Sequence, residues 1–269
     1  MALWDLHIHT TMSFDGRDHI DAMCESAIKK GLTGIAVTNH LDYDGIKSGI
    51  YPPYDPEGDL RQIREAREKF KGQLDIKFGI EIGQANTHTA ELKRFIRDAG
   101  FEYILSSLHN MPGAIDFYYY NFEKMSERER IYRYEKYLDE LMLVLDAIPA
   151  DTLGHITYPI RYMKRAGADI DINLFEKRFE TLFKLMVMKG TALEVNVSDL
   201  RTEVNATLPE PCTVELYRAC GGKRVAVGSD AHRAEHVGVK VEETAKFYSD
   251  LGMEVVNLQK TITGVNERS

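Results

Sequence analysis

Cysteine is scarce in this sequence of 269 residues. The three thiols, Cys24, Cys212 and Cys220, are odd in number and include no CxxC pair, so neither a disulfide framework nor a thiolate zinc site is indicated. Long apolar runs are also missing, and no stretch approaches the length that spans a bilayer. The first residues carry no basic segment and break their apolar run at Asp5 and His7, so we expect no signal peptide. These absences predict a cytoplasmic protein without membrane association.

An excess of positive charge is absent too. The formal net charge of -8 argues against a broad contact with a phosphate backbone, so nucleic acid is not an expected partner. With 43% hydrophobic and 28% charged residues, the composition is that of an ordinary globular protein. Low-complexity segments, repeats and linkers are lacking, and we expect residues 1–269 to form a single domain. The sequence does not indicate an oligomeric state.

Short apolar segments alternate with helical ones along the chain. The segments typical of strands are 3–9, 33–39, 76–82, 102–108, 152–156, 191–197 and 224–229. The helical segments are 19–31, 59–70, 88–99, 126–147, 173–189, 211–220 and 240–251, with Asp59 expected to cap the second. This alternation predicts an α/β fold with a parallel sheet. Two segments, 41–58 and 110–125, are expected to be irregular inserts, and the sequence does not indicate whether they serve function or packing.

Metal-type ligands follow most of these strands. In His7-Ile8-His9 and Asp230-Ala231-His232, the two polar side chains are two residues apart and face the same side of an extended chain. The strand ends of a closed barrel converge on one rim, where such barrels build active sites. We therefore expect a barrel with a metal site at the C-terminal ends of its strands. The candidate ligands are His7, His9, Asp15, His40, Glu81, His109, His155, Asp230 and His232.

This ligand set is too large for one ion. A zinc ion takes about four ligands, so the six imidazoles and three carboxylates predict two or three clustered divalent transition metals. Glu81 is suited to bridging a pair of them, and such a pair activates a bridging water as the nucleophile. Imidazole and carboxylate ligands without sulfur suit zinc, iron or manganese and do not choose among them.

The motifs HIHTTMSFDG, VTNHLD, GIEIG, SSLH, LGH and GSDAH, in this order, resemble those of the PHP (polymerase and histidinol phosphatase) superfamily. The resemblance runs from residue 5 to about 238, and NVSDLRTEVN and GSDAHRAEHVG look most like the monofunctional histidinol-phosphate phosphatases. It implies a distorted, TIM-like (β/α)7 barrel and catalytic roles for Glu81 and Asp230. The implied metal sets are His7, His9, Glu81 and Asp230; Glu81, His109 and His155; and Asp15, His40 and His232.

Two arginines suit a phosphate group. Arg161 and Arg201 are expected on loops leaving the same rim, where a guanidinium fork could hold a phosphomonoester against the metals. The superfamily commonly has an aspartate where this chain has Asn39, which places the third metal in doubt.

Polar residues outside the ligand set receive simpler interpretations. We interpret Asp42 as solvated in its loop. We expect His19, His88 and His236 at the surface or beside the ligands, with His236 the best candidate for a role near the site.

These observations favour a metal-dependent phosphomonoesterase acting on L-histidinol phosphate, a reaction of histidine biosynthesis. The alternative is another small phosphorylated metabolite, such as a nucleotide or sugar phosphate. An amidohydrolase-type barrel is disfavoured because the fourth strand ends in His109 rather than in a lysine. A structural or regulatory module that has lost its metals is disfavoured because all nine positions carry competent ligands.

Overall fold

The computed structural model describes residues 2–259, and within them nine strands form one sheet in which every strand pair is parallel. The strands are β1 (Trp4–Ile8), β2 (Gly34–Val37), β3 (His40–Asp42), β4 (Asp75–Gly83), β5 (Tyr103–Ser107), β6 (Thr152–Leu153), β7 (Ala192–Asn196), β8 (Arg224–Gly228) and β9 (Glu254–Val255). Their order in the sheet is β1-β2-β4-β5-β6-β7-β8-β9, with β3 continuing beyond β2 along the same neighbour, β4.

Helices connect the strands. They are α1 (Ile20–Lys29), α2 (Tyr43–Lys47), α3 (Pro56–Lys69), α4 (Thr89–Ala99), α5 (Glu127–Ala147), α6 (Tyr158–Arg165), α7 (Glu176–Lys189), α8 (Pro211–Ala219) and α9 (Val241–Asp250). Local sequence sets several boundaries. Ser126 and Glu129 form a capping box at the start of α5, and α4 stops at Gly100, whose φ of 73° is readily adopted only by glycine.

The sheet closes between its first and its eighth strand. The His9 N–H donates to the Ala231 carbonyl at 2.8 Å, and the Asp230 N–H donates to the His7 carbonyl at 2.7 Å. Asp5, buried on β1, reinforces the closure because its carboxylate accepts the N–H groups of Ser229 and Gly238, each at 2.8 Å. The seven main strands, counting β2 and β3 as one interrupted strand, confirm the expected TIM-like (β/α)7 barrel.

Two apolar clusters fill the fold. The smaller one draws on five strands and on no helix, which places it inside the barrel; its buried strand residues are Trp4, Leu6, Ala36, Tyr103, Leu105, Ala192 and Ala226. The larger cluster packs the outer face of the sheet against the helices. Trp4 of the smaller cluster packs against Gly34, where a Cβ would lie 2.5 Å from the Trp4 ring. The interior below the rim is therefore mainly apolar, although it includes the hydroxyl groups of Tyr103 and Thr152, which are joined by a hydrogen bond of 2.7 Å. The predicted ligands lie at its C-terminal end.

Several local predictions were wrong. The segment 41–58 is not irregular throughout, because it contains part of β3 and all of α2. Helix α3 begins three residues before the predicted start, and its cap is Asp55, which accepts the Gly58 N–H at 2.9 Å. Helix α6 and strand β9 were not predicted. Among residues 2–259, no helix combines the length and the apolar character needed to cross a membrane.

Candidate metal centre

Glu81 lies at the centre of the predicted ligand set. It is fully buried on β4, and its Oε1 lies 2.9 Å from Nε2 of His155 and 3.1 Å from Nε2 of His109. Its Oε2 lies 3.2 Å from Nε2 of His7 and 3.1 Å from Nδ1 of His40. Four imidazoles from four different strand ends therefore surround one carboxylate, because parallel strands deliver their C-terminal residues to a common level.

The first and eighth strands add a second part of the cluster. Nε2 of His7 lies 3.0 Å from Nε2 of His9, and Oδ1 of Asp230 lies 3.4 Å from the latter. Asp230 has a φ of 53°, a left-handed conformation that turns the chain directly after the strand. The turn brings its carboxylate over the His7 and His9 pair, and ligand atoms of the three residues lie within 4.8 Å of one another.

A third group lies nearer to solvent. Oδ2 of Asp15 is 3.0 Å from Nε2 of His232 and 3.5 Å from Nε2 of His40. His9 stacks between His40 and His232, with ring centroids 4.3 and 4.1 Å away. The structure thus brings all nine predicted residues together, although it groups His9 with Asp15, His40 and His232 as well as with His7 and Asp230.

Glu194 supports this cluster and was missed in the sequence. It lies on β7 with 1% of its surface exposed, and its Oε1 is 2.6 Å from Nδ1 of His7. Its Oε2 accepts the backbone N–H of His155 at 2.6 Å. The signal was a glutamate inside an apolar strand, where an unpaired carboxylate is costly. Glu81, inside the apolar strand β4, shows the same signal.

Asp42 was interpreted wrongly as a solvated loop residue. It is 3% exposed at the end of β3, and its Oδ1 lies 2.8 Å from Nδ1 of His109. Its Oδ2 lies 3.4 Å from Nδ1 of His40, so the carboxylate joins His40 and His109 in a further group of potential ligands. The error followed from missing β3, which carries Asp42 into the interior.

The cluster is strongly polarised. Burial opposes ionisation of Glu81, yet the imidazoles of His40, His7 and His109 hold its pKa well below the ordinary value. Burial likewise opposes protonation of His40, but Glu81 and Asp15 raise its pKa to about 9. At His9, burial and the neighbouring imidazoles of His232 and His40 lower the pKa to about 3. The neighbouring imidazoles thus favour the ionised form of the carboxylates in this cluster.

The donor set fits divalent metal ions. Nδ1 of His109 lies 2.8 Å from the Asp42 carboxylate and Nε2 lies 3.1 Å from Oε1 of Glu81. A ring that carries its single proton on Nδ1 would present the lone pair of Nε2 to a metal ion shared with Glu81. Nδ1 of His40 and Nδ1 of His155 are buried and make no hydrogen bond to any residue that the structure describes. Imidazole nitrogens and carboxylate oxygens that converge in this way suit zinc, iron or manganese.

A cavity of about 480 Å³ opens over this cluster. Its cationic side chains are Arg161 and Arg17, the second of which sequence reasoning missed. Its carboxylates beyond the ligand set are Asp42 and Asp116. The aromatic residues of its wall are Phe14, Tyr51, Tyr118, Tyr119, Tyr158 and Tyr162. The insert 110–125 thus contributes directly to the cavity.

The two predicted arginines take different positions. Arg161 lies on α6 rather than on a loop; it is buried, with Nε 3.1 Å from Oδ2 of Asp199 and Nη2 3.8 Å from Oδ2 of Asp230. Arg201 is half-buried in the short turn after β7 and donates through Nη1 to the Ser229 carbonyl at 2.7 Å. Arg161 therefore faces the cavity, whereas Arg201 contacts the backbone directly before Asp230.

The remaining histidines lie outside the cluster. His19 is the N-cap of α1, where its ring accepts the Asp21 N–H, and His88 is the N-cap residue of α4. His236, which was expected to be the most relevant of the three, is partly exposed and lies 3.8 Å from the Glu235 carboxylate. It is not part of any ligand group among the described residues.

The fold and site define an α/β barrel with a buried imidazole and carboxylate cluster on its C-terminal rim. The family model of the PHP domain matches residues 5–198, and the chain belongs to this family. It is 27% identical to the "Probable histidinol-phosphatase" of Thermotoga maritima, with 96% of this chain and 97% of that protein covered. It is 26% identical to the "Histidinol-phosphatase" of Lactococcus lactis, with 92% of this chain and 91% of that protein covered.

A solved structure shares the fold. The histidinol phosphate phosphatase of Lactococcus lactis, complexed with zinc, L-histidinol and phosphate, superposes with a TM-score of 0.80 at 21% sequence identity. The superposition covers 95% of each chain. The barrel is therefore the fold of that solved structure.

Proposed function

We propose that this chain is a metal-dependent phosphomonoesterase that hydrolyses L-histidinol phosphate to L-histidinol and phosphate. The observation that carries the proposal is the convergence of nine imidazole and carboxylate ligands beneath a cavity that also contains Arg161. Relatives named histidinol-phosphatase match nearly the whole chain, which supports the substrate and the action of residues 1–269 as one catalytic unit.

The proposed ligand roles follow the resemblance to the PHP superfamily. His7, His9, Glu81 and Asp230 would hold one divalent ion, Glu81 with His109 and His155 a second, and Asp15, His40 and His232 a third; within each set the side chains lie next to one another in the cluster. Bound divalent ions supply Lewis acidity and lower the pKa of a coordinated water towards about 7. Glu81 is central because both of its oxygens contact imidazoles, so it is the group best placed to serve two ions at once.

Hydrolysis of a phosphomonoester depends mainly on positive charge that stabilises the transition state and on correct orientation of the phosphoryl group. Arg161 supplies a buried guanidinium whose position is fixed by Asp199, so its donors are preorganised at the cavity wall. Arg201 borders the same region through Ser229, and we propose it as the second phosphate-binding arginine.

The cavity wall supports an amino alcohol as the leaving group. L-Histidinol carries an ammonium group and a flat imidazole ring. Asp116 lines the cavity, and its carboxylate accepts from the Tyr158 hydroxyl at 3.1 Å. This carboxylate provides a negative partner for the ammonium group, and the surrounding tyrosine rings provide flat contacts for the imidazole. A sugar phosphate has no ammonium group to pair with the Asp116 carboxylate.

Turnover of a panel of phosphomonoesters tests the proposal. We expect kcat/KM for L-histidinol phosphate to exceed that for a sugar phosphate and for a nucleoside monophosphate by more than about tenfold, or ~1.4 kcal/mol. A smaller preference would reject histidinol phosphate as the specific substrate. Absence of metal-dependent hydrolysis of every ester in the panel would reject the phosphomonoesterase itself.

A further inference from the structure

Asn39 lies between the ligand cluster and a buried carboxylate behind it. The residue is fully buried in the gap between β2 and β3. Its Oδ1 accepts the Thr10 N–H at 2.8 Å, and its Nδ2 donates to Oδ2 of Asp59 at 2.7 Å. The Asn39 carbonyl also accepts the Glu81 N–H at 3.1 Å. One amide residue therefore links helix α3 to the chain segments that carry the proposed ligands.

Asp59 is an unusual residue for its position. It is 1% exposed on α3, and its other partner is the Tyr54 hydroxyl, which donates to Oδ2 at 2.6 Å. Within residues 2–259 no lysine, arginine or histidine forms an ion pair with it. Burial raises its pKa to about 6, against the hydrogen bonds from Tyr54 and Asn39. A carboxylate held in this way by neutral donors alone is costly, so the fold retains it at an expense in stability.

The hydrogen-bonding capacities of the three groups match in one way only. The Thr10 N–H can only donate, and the ionised Asp59 carboxylate can only accept. Asn39 stands between them with an acceptor at one end and a donor at the other. Both neighbours therefore favour the same orientation of the amide, with Oδ1 towards the Thr10 N–H and Nδ2 towards Asp59, and Nδ2 also donates to the Thr10 hydroxyl oxygen at 3.1 Å. An aspartate at position 39 would instead place two carboxylates at about the hydrogen-bond distance of 2.7 Å.

The orientation of Asn39 matters because Thr10 begins the turn that holds two proposed ligands. The Ser13 N–H donates to the Thr10 carbonyl at 2.9 Å. The Ser13 hydroxyl oxygen accepts the His40 N–H at 2.8 Å and lies 3.2 Å from Nδ1 of His9. A change at Asn39 is therefore passed through this turn to both imidazoles.

We propose that Asp59 is a positioning residue for the metal centre, acting as a matched pair with Asn39 to fix the turn behind His9 and His40. The inference rests on the metal-dependent function proposed above. The proposal requires one carboxylate and one amide at positions 59 and 39. It predicts that the two residues can be exchanged for each other, whereas a substitution at only one of the two positions weakens the metal site.

A double-mutant cycle tests this pairing. The full chain is freed of metal with a chelator, and its affinity for Zn²⁺ is measured by competition for the wild type, Asn39→Asp, Asp59→Asn and the exchange variant Asn39→Asp/Asp59→Asn. We expect each single variant to lose at least fivefold in Zn²⁺ affinity. In Asn39→Asp two carboxylates meet, and in Asp59→Asn the charge-assisted hydrogen bond that holds Nδ2 of Asn39 is replaced by a weaker bond between two amides. The exchange variant should return to within about twofold of the wild type.

Asp55→Asn is the matched control, because Asp55 lies at the start of the same helix and faces Gly58 instead of Asn39. It should keep wild-type affinity. An exchange variant no better than the single variants would overturn the pairing, as would single variants that lose only thermal stability while binding Zn²⁺ normally. If Asn39→Asp does not fold, the comparison of Asp59→Asn with the exchange variant decides alone. A wild-type chain that binds no Zn²⁺ would reject the metal centre itself and this inference with it.

Discussion

Nδ1 of His7 lies 2.6 Å from Oε1 of Glu194, and the other oxygen of the same carboxylate holds the backbone of His155. A carboxylate in this position keeps the proton on Nδ1 and directs the lone pair of Nε2 into the cluster. Since His7 lies on β1 and His155 follows β6, Glu194 on β7 also fixes the distance between two opposite parts of the rim. It acts on the proposed centre without contacting Glu81, Asp230 or the cavity.

Glu194→Gln should therefore weaken Zn²⁺ binding. The variant keeps the size of the side chain but removes the charge that holds the His7 tautomer, and loss of such a partner typically lowers metal affinity roughly 10–100-fold. Chelator competition on the metal-free chain measures the effect. Glu203→Gln, a change at an exposed position, is the control and should leave the affinity unchanged. Equal affinities for both variants would show that Glu194 serves the fold alone.

Glu81→Gln should empty at least one metal site and abolish turnover. An amide cannot supply two anionic oxygens to the surrounding imidazoles, and the variant leaves four of them without their common partner. Elemental analysis of the purified variant measures bound metal, and steady-state kinetics measure turnover. Asp75→Asn, at the exposed start of the same strand, should retain both. Full metal content in Glu81→Gln would remove this residue from the ligand set.

Arg161→Ala should raise KM for the phosphomonoester about tenfold or more, because a preorganised guanidinium at the cavity wall is lost. Its metal content should remain that of the wild type, since the guanidinium donates and cannot ligate a cation. Unchanged kinetics would place Arg161 in a purely structural contact with Asp199.

Arg201→Ala separates two roles for the second arginine. If Arg201 binds phosphate, KM rises or kcat falls while bound metal stays constant, and this is the expected result. Its bond to the Ser229 carbonyl offers the contrasting outcome, in which the loop before Asp230 shifts and metal is lost. Metal analysis alongside kinetics distinguishes the two.

Asp116→Asn should change substrate preference more than general activity. Removing the carboxylate deprives the ammonium group of its proposed partner, so kcat/KM for L-histidinol phosphate should fall at least tenfold. Hydrolysis of an ester of an uncharged alcohol, such as glycerol phosphate, should change by less than about threefold. Equal losses for the two esters would show that Asp116 supports the cavity wall through Tyr158 and Tyr118 and does not bind the alcohol part of the substrate.

The sequence was most informative where a residue that can bind metal follows an apolar segment typical of a strand. His7, His9, Glu81 and Asp230 could be predicted because each follows an apolar segment and the strand ends of a barrel must converge. Asp42 and Asp59 could not be interpreted correctly, because their roles depend on β3 and on the start of α3, which are short or shifted elements with weak local signals. Glu194 could have been recognised as a buried carboxylate, but its partner His7 lies 187 positions away along the chain and could not be predicted from local sequence.

The closure between β1 and β8 also has a consequence during synthesis on the ribosome. His7 and His9 emerge early. In contrast, β8, Asp230 and the loop whose N–H groups bind Asp5 emerge near the end of translation. A growing chain therefore carries an incomplete set of the proposed ligands for most of its elongation. The proposed metal centre can be complete only when β8 pairs with β1, so its formation requires closure of the barrel.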